Sequence, residues 1–168
     1  MTTNFLEKFF EHNHWANLQI IHVCLTLSDE QLDAEPKSAT YGSIRNTLLH
    51  YLTSQLDYLR MLTLPVEERA EIDTPNVTFD EIEAAAIYSG EAFIALARDT
   101  SRIFGETHIQ QPDGYIVEPW AIILQAINHA DEHREQIKSM LTALGVTPPR
   151  IDGWTYARLA EAVIPPTS

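Results

Sequence analysis

The chain has 168 residues, 45% of them hydrophobic, and carries 11 basic against 24 acidic side chains, a net charge of −13. That length and apolar content suffice for one domain with a substantial core, spanning 1–168, and exclude a disordered chain. The charge argues against electrostatic capture of nucleic acid or of an anionic membrane, and suits a soluble cytoplasmic protein. No apolar run reaches the ~18 residues of a membrane span, and the early Glu7 and Lys8 interrupt any signal-peptide pattern. The single cysteine, Cys24, permits no internal disulfide. Its neighbours Ile20, Ile21, Val23, Leu25 and Leu27 make it a small core residue rather than a nucleophile.

Apolar positions at helical spacing predict a first helix from about Thr3 to Leu27, with Phe5, Leu6, Phe9, Phe10, His14, Trp15, Leu18, Ile21 and Leu25 as its stripe. His12, His14 and His22 lie on it; His14, beside Trp15, is placed to line a cavity, although a packed or solvated role is favoured for all three. Ser28 to Leu32 reads as a cap and a short helical turn. After a loop over Pro36 to Tyr41, Ser43 is the expected N-cap of a second long helix. Its apolar side is Ile44, Leu48, Leu49, Leu52, Leu56, Leu59 and Leu62. His50 stands to one flank, in a row with Asn46, Thr47, Thr53, Ser54, Asp57 and Met61. Such a row is either a cavity wall or a solvated face, and the pattern favours solvent.

Leu64-Pro65 ends that helix, and Pro65 to Thr78 reads as an irregular link. Thr78 and Glu81 form the signature of a capping box opening a third helix, which carries Ile82, Ala85, Ala86, Ser89, Phe93, Leu96 and Ala97 to about Ile103. Phe104 to Val117 is a second long link, with a short hairpin expected around Gln111 to Tyr115. Nothing assigns a role to His108. Glu118-Pro119 opens a fourth helix ending at Leu144, with Gly145 as its C-terminal stop. A last short helix from Trp154 to Ala162 is expected to pack through Trp154, Tyr156 and Leu159. These elements predict an all-α four-helix bundle with a short C-terminal helix. The two long links leave room for crossover connections and parallel neighbours.

The fourth helix carries the chemistry. His129 and His133 are four residues apart, one turn above the other, on the stripe Ile122, Ala126, His129, His133, Ile137, Met140 and Leu144. Asp131, Glu132, Arg134, Glu135 and Lys138 fall mostly off it. Two neighbouring imidazoles repel if both are protonated, and a divalent cation removes the conflict by taking a neutral nitrogen from each. The spacing leaves this and two separately satisfied core histidines equally open. A zinc-protease His-Glu-x-x-His helix is excluded, because Ala130 stands where its glutamate would be.

Several segments together resemble the DinB/YfiT-like superfamily of four-helix bundles. They are His12-Asn13-His14-Trp15-Ala16-Asn17, Leu27-Ser28-Asp29-Glu30-Gln31-Leu32, Tyr41-Gly42-Ser43-Ile44 through His50, Asn128-His129-x-x-x-His133-Arg134-x-Gln136-Ile137, and Leu144-Gly145-Val146-Thr147-Pro148-Pro149. The resemblance spans nearly the whole chain. It implies a divalent metal held by one histidine of the second helix and the pair on the fourth, here His50, His129 and His133. Three imidazoles with open positions suit zinc or nickel, and iron as a further choice. Relatives often carry a histidine where this chain has Glu132, and a glycine where it has Glu135.

The resemblance further implies a metal-dependent enzyme: a transferase or isomerase using a low-molecular-weight thiol, or a hydrolase, acting on a small molecule. A bundle that binds metal or a small ligand without turnover is the alternative. Asn46, Thr47, Asp57, His14 and Asn128 are the residues considered for orienting ligands or substrate. Relatives form homodimers through helical faces, for which the aromatic first helix offers a surface.

Overall fold

The computed structural model describes residues 4–37, 42–69, 77–104 and 108–164. Tyr41, part of the loop before it, and the middles of both long links lie outside these residues. The described elements are α1 (Phe5–Cys24), α2 (Asp29–Asp33), α3 (Ile44–Thr63), a 3-10 turn (Val66–Glu68), α4 (Phe79–Arg98), α5 (Ser101–Phe104), strands β1 (Ile109–Gln110) and β2 (Ile116–Val117), α6 (Pro119–Ala143) and α7 (Gly153–Leu159). No described helix is long and apolar enough to cross a membrane.

Local chemistry sets the helix starts. Asn4, Ser28, Ser43, Thr78 and Asp152 each accept a backbone N–H of the first turn that has no partner within the helix. At Ser28/Gln31 and Thr78/Glu81 the bond is reciprocated as a capping box. Pro119 occupies the first turn of α6, where no N–H is needed. Its far end turns at Gly145, whose φ of +76° is easy only for glycine, and Val146 N–H reaches back to the Leu141 carbonyl. Gly114, at φ +89°, turns the hairpin that pairs Ile109 with Val117.

The four long helices form an all-α bundle. α1 packs between α4 and α6, and α3 packs between the same two, so α1 and α3 face each other diagonally. Two core clusters fix the directions. One gathers the C-terminal halves of α1 and α6 with the N-terminal halves of α3 and α4, through Ile20, Ile21, Cys24, Leu48, Leu52, Ile82, Ile137 and Met140. The other gathers the opposite ends, through Phe10, Leu59, Leu62, Phe93, Leu96, Ile122 and Ala126. Hence α1 runs parallel to α6, and α3 parallel to α4. The link between α3 and α4 is therefore a crossover along the bundle, as its length allowed.

Four expectations need correction. The apolar stripe of α1 is rotated: Phe5 and Phe9 are 74% and 58% exposed, whereas Asn13 and Asn17 are buried with Phe10, Ala16, Ile20 and Ile21. The third helix stops at Arg98, because Asp99 leaves helical geometry before the separate turn α5. Arg134, read as off-stripe, is 1% exposed. Helix α7 is anchored by Tyr156, which packs on Trp15 and His12, while Trp154 and Leu159 face solvent.

Candidate metal centre

Antiparallel packing of α3 on α6 brings residue 50 level with residue 133, and Tyr58 level with Gln125 and His129. The His129 Nε2 lies 3.1 Å from the Nε2 of His50 and 3.1 Å from that of His133. One ligating nitrogen from each of the three rings lies within 4.8 Å of the other two. Among the described residues, this is the group of His, Cys, Asp or Glu side chains able to share a cation. Tyr51 stacks at 16° alongside His133, and Tyr58 stands edge-on to His129. The cluster is open on one side: His133 is buried, and His50 and His129 are half-buried.

The proton inventory of the cluster is informative. His133 Nδ1 lies 2.8 Å from Gln136 Oε1, an acceptor, so Nδ1 carries the hydrogen and Nε2 is bare in the neutral ring. The Nε2 of His129 must then carry hydrogen to bond His133, and the Nε2 of His50 must be bare to share it. Two lone pairs thus compete for one N–H. A cation satisfies all three rings in the form that ligates. The spacing fits: nitrogens ~2.05 Å from a common ion lie about 3.3 Å apart in a tetrahedron and about 2.9 Å apart at octahedral right angles. The two separations from His129, both 3.1 Å, fall between these values, and the third pair of nitrogens lies within 4.8 Å.

Electrostatics point the same way. Burial, then the neighbouring His133 and His50, pull His129 down to about 4. Burial, then His133, lowers His50. Both rings are therefore neutral near pH 7, which is the ligand form. The Gln136 carbonyl orients His133 from behind, a common arrangement for imidazole ligands. Gln136 is three residues from His133, on the same face of the helix. That spacing was legible in the sequence, but no role had been drawn from it.

Asn46 and Asn128 are exposed. Buried Thr47 donates its hydroxyl to the Ser43 carbonyl, inside its own helix. Asp57 is half-buried, its carboxyl raised by burial and countered by Arg60 at 3.8 Å. His14 packs against Gly90 on the α1/α4 side, across the bundle from the cluster. His12 bonds the Ile151 carbonyl, and His22 pairs with Glu83. His108 borders a cavity of about 540 Å³ at the C-terminal end of α3, distant from His50 along that helix. Cys24 is fully buried, and burial pushes its thiol up to about 12, which bears out its reading as an inert core residue.

The chain is 25% identical over 152 residues to Protein DinB of Bacillus subtilis (strain 168), an alignment covering 85% of this chain and 88% of that one. A family profile described as DinB family matches residues 1–166. With an all-α bundle, a clustered histidine triad and a family match along nearly its whole length, the chain belongs to the DinB family.

Proposed function

We infer that this protein binds a divalent metal through His50, His129 and His133 and uses it as a metal-dependent enzyme on a small molecule. The observation that carries the reading is the convergence of three imidazoles at a solvent-reaching face, with burial favouring the neutral ring of His50 and His129. Zinc or nickel suits three nitrogens best, with iron next. A metal there supplies Lewis acidity, which favours the thiolate of a low-molecular-weight thiol for transfer or isomerisation, or activates water for hydrolysis.

The chain's own contribution is positional. Gln136 holds His133 in the ligating tautomer. Tyr51 and Tyr58 fix the planes of His133 and His129. The half-buried edge formed by His50 and His129 admits the substrate. The exposed Phe5 and Phe9 support self-association through α1, which light scattering on the purified protein would check.

Elemental analysis of untagged protein tests the site. About one zinc, nickel or iron per chain is expected, lost in His50→Ala and in His133→Ala. Thiol-dependent turnover that disappears on chelation would then establish catalysis. Stoichiometric metal with ligand binding but no product would leave a non-catalytic binding bundle. Full retention of metal by His50→Ala would remove α3 from the site.

A further inference from the structure

Beneath the histidine cluster, a chain of buried polar side chains crosses the core and touches all four long helices. Arg134 on α6 donates through Nη1 to Asn13 Oδ1 and to Asn17 Oδ1 on α1, both at 2.6 Å. The two asparagine NH2 groups donate to Gln55 Oε1 on α3, at 3.3 and 3.0 Å. Gln55 Nε2 donates to Ser89 Oγ on α4 at 2.6 Å, and Ser89 Oγ donates to the Ala85 carbonyl at 2.7 Å. Asn13, Asn17, Gln55, Ser89 and Arg134 are all at most 4% exposed.

The direction of every bond follows from the one cation. A guanidinium can only donate, so both asparagine oxygens must face it. Their NH2 groups must then face Gln55 oxygen, the Gln55 NH2 must face Ser89, and the Ser89 proton must go to Ala85. Without the cation, each amide can turn over and the chain loses its sense. The network is also costly. Arg134 lies 3.3 Å from the 64%-exposed carboxylate of Asp131, with Glu135 also in electrostatic reach, and among the described residues its Nε and the nearby Tyr51 hydroxyl are buried without hydrogen-bond partners. Buried ionic groups of this kind contribute little net stability, and their best-attested use is to specify one arrangement of helices.

Its placement shows what is specified. Arg134 adjoins His133, Gln55 lies five residues from His50 on α3, and Tyr51 stands between the two systems with its ring along His133 and its hydroxyl toward Arg134. We propose that Arg134 is a positioning residue: through Asn13, Asn17 and Gln55 it locks the register of α6 against α3, so that the histidine nitrogens of the two helices meet at one point. The proposal rests on the metal reading above and deepens it.

Cobalt(II) titration of purified Arg134→Met and Arg134→Lys tests the lock, with circular dichroism melting of the metal-free proteins. Methionine keeps the volume and removes the charge; lysine keeps a donor cation. Arg134→Met is expected to melt close to wild type yet bind cobalt about 10–100-fold more weakly, with an altered visible spectrum. Arg134→Lys should recover part of both. Wild-type affinity and spectrum in Arg134→Met would overturn the proposal, as would a loss of melting temperature with cobalt binding intact. If Arg134→Met does not fold, Gln55→Met, which cuts the chain at α3, carries the same expectations. If wild type takes up no cobalt, the metal reading fails by itself. The lock is then judged by nuclear Overhauser contacts between the His50 and His129 rings in the metal-free proteins at pH 8. Contacts present in wild type and lost in Arg134→Met support the lock, and the same contacts in both overturn it.

Discussion

Two opposite seams of the bundle carry histidines, with different outcomes. On the α3/α6 seam, His129 meets both His50 and His133 at nitrogen separations of 3.1 Å. On the α1/α4 seam, His14 lies against Gly90 and His22 pairs with Glu83. Both seams join antiparallel helices, and both place an imidazole at the rim. The difference lies in spacing: two histidines one turn apart on α6 form half a site that a third ring from α3 completes. On α1 the histidines are two turns apart, and each meets a different neighbour. His14 interacts with the Ala86 backbone and fits closely, its ring occupying the space that a side chain at position 90 would need. A histidine becomes a ligand candidate through what the facing helix presents, more than through its own burial.

The largest expected break in this contrast comes from the ligands themselves. His133→Ala and His50→Ala should lower metal affinity on the order of hundredfold or more, beyond what loss of an orienting group costs. His14→Ala should leave it unchanged, as isothermal titration with zinc would show. An effect of His14→Ala equal to that of His50→Ala would erase the distinction between the seams. Next is Gly90→Ala. Its Cβ would lie 2.0 Å from His14 Nδ1, so a loss of about 1–3 kcal/mol in urea unfolding is expected from overpacking, with metal binding intact. In the His14→Ala background the same change should instead stabilise by about 1 kcal/mol, the ordinary gain of alanine over glycine in a helix. Equal effects in both backgrounds would show that the two residues are not in contact.

A smaller change is expected for Gln136→Ala. The bond to His133 Nδ1 is lost, so affinity should fall about tenfold with little change in melting. The smallest effect concerns Cys24. With its thiol pushed up to about 12 by burial, almost none is thiolate at pH 8, and a disulfide reagent should react only as fast as the chain unfolds. Rapid labelling of the native protein would show that the core between the seams is open.

The ends of the elements were legible in the sequence because caps and turns are local. Ser43, Thr78 with Glu81, Pro119 and Gly145 act on backbone groups within four residues of themselves. The pair His129 and His133 was legible for the same reason, since helical geometry alone puts them together. The face of α1 was not. Two of its large apolar residues, Phe5 and Phe9, are exposed, and Asn13 and Asn17 join Phe10, Ile20 and Ile21 in the core. Hydropathy counts an asparagine as a surface residue, and nothing nearby in the sequence announces a partner 121 residues away.

The sequence by itself determined the helices, their caps and the half-site on α6, because each depends on neighbours along the chain. It also determined the resemblance by which His50 was joined to that half-site, although its own row pattern favoured solvent. Only the tertiary structure decided that α3 runs antiparallel to α6 at the register that brings residue 50 to residue 133. Only the fold, likewise, made Arg134 a core residue. A buried charge is tolerable when oxygens from another helix surround it, and which helix lies alongside is set by the crossover and the packing of both core clusters.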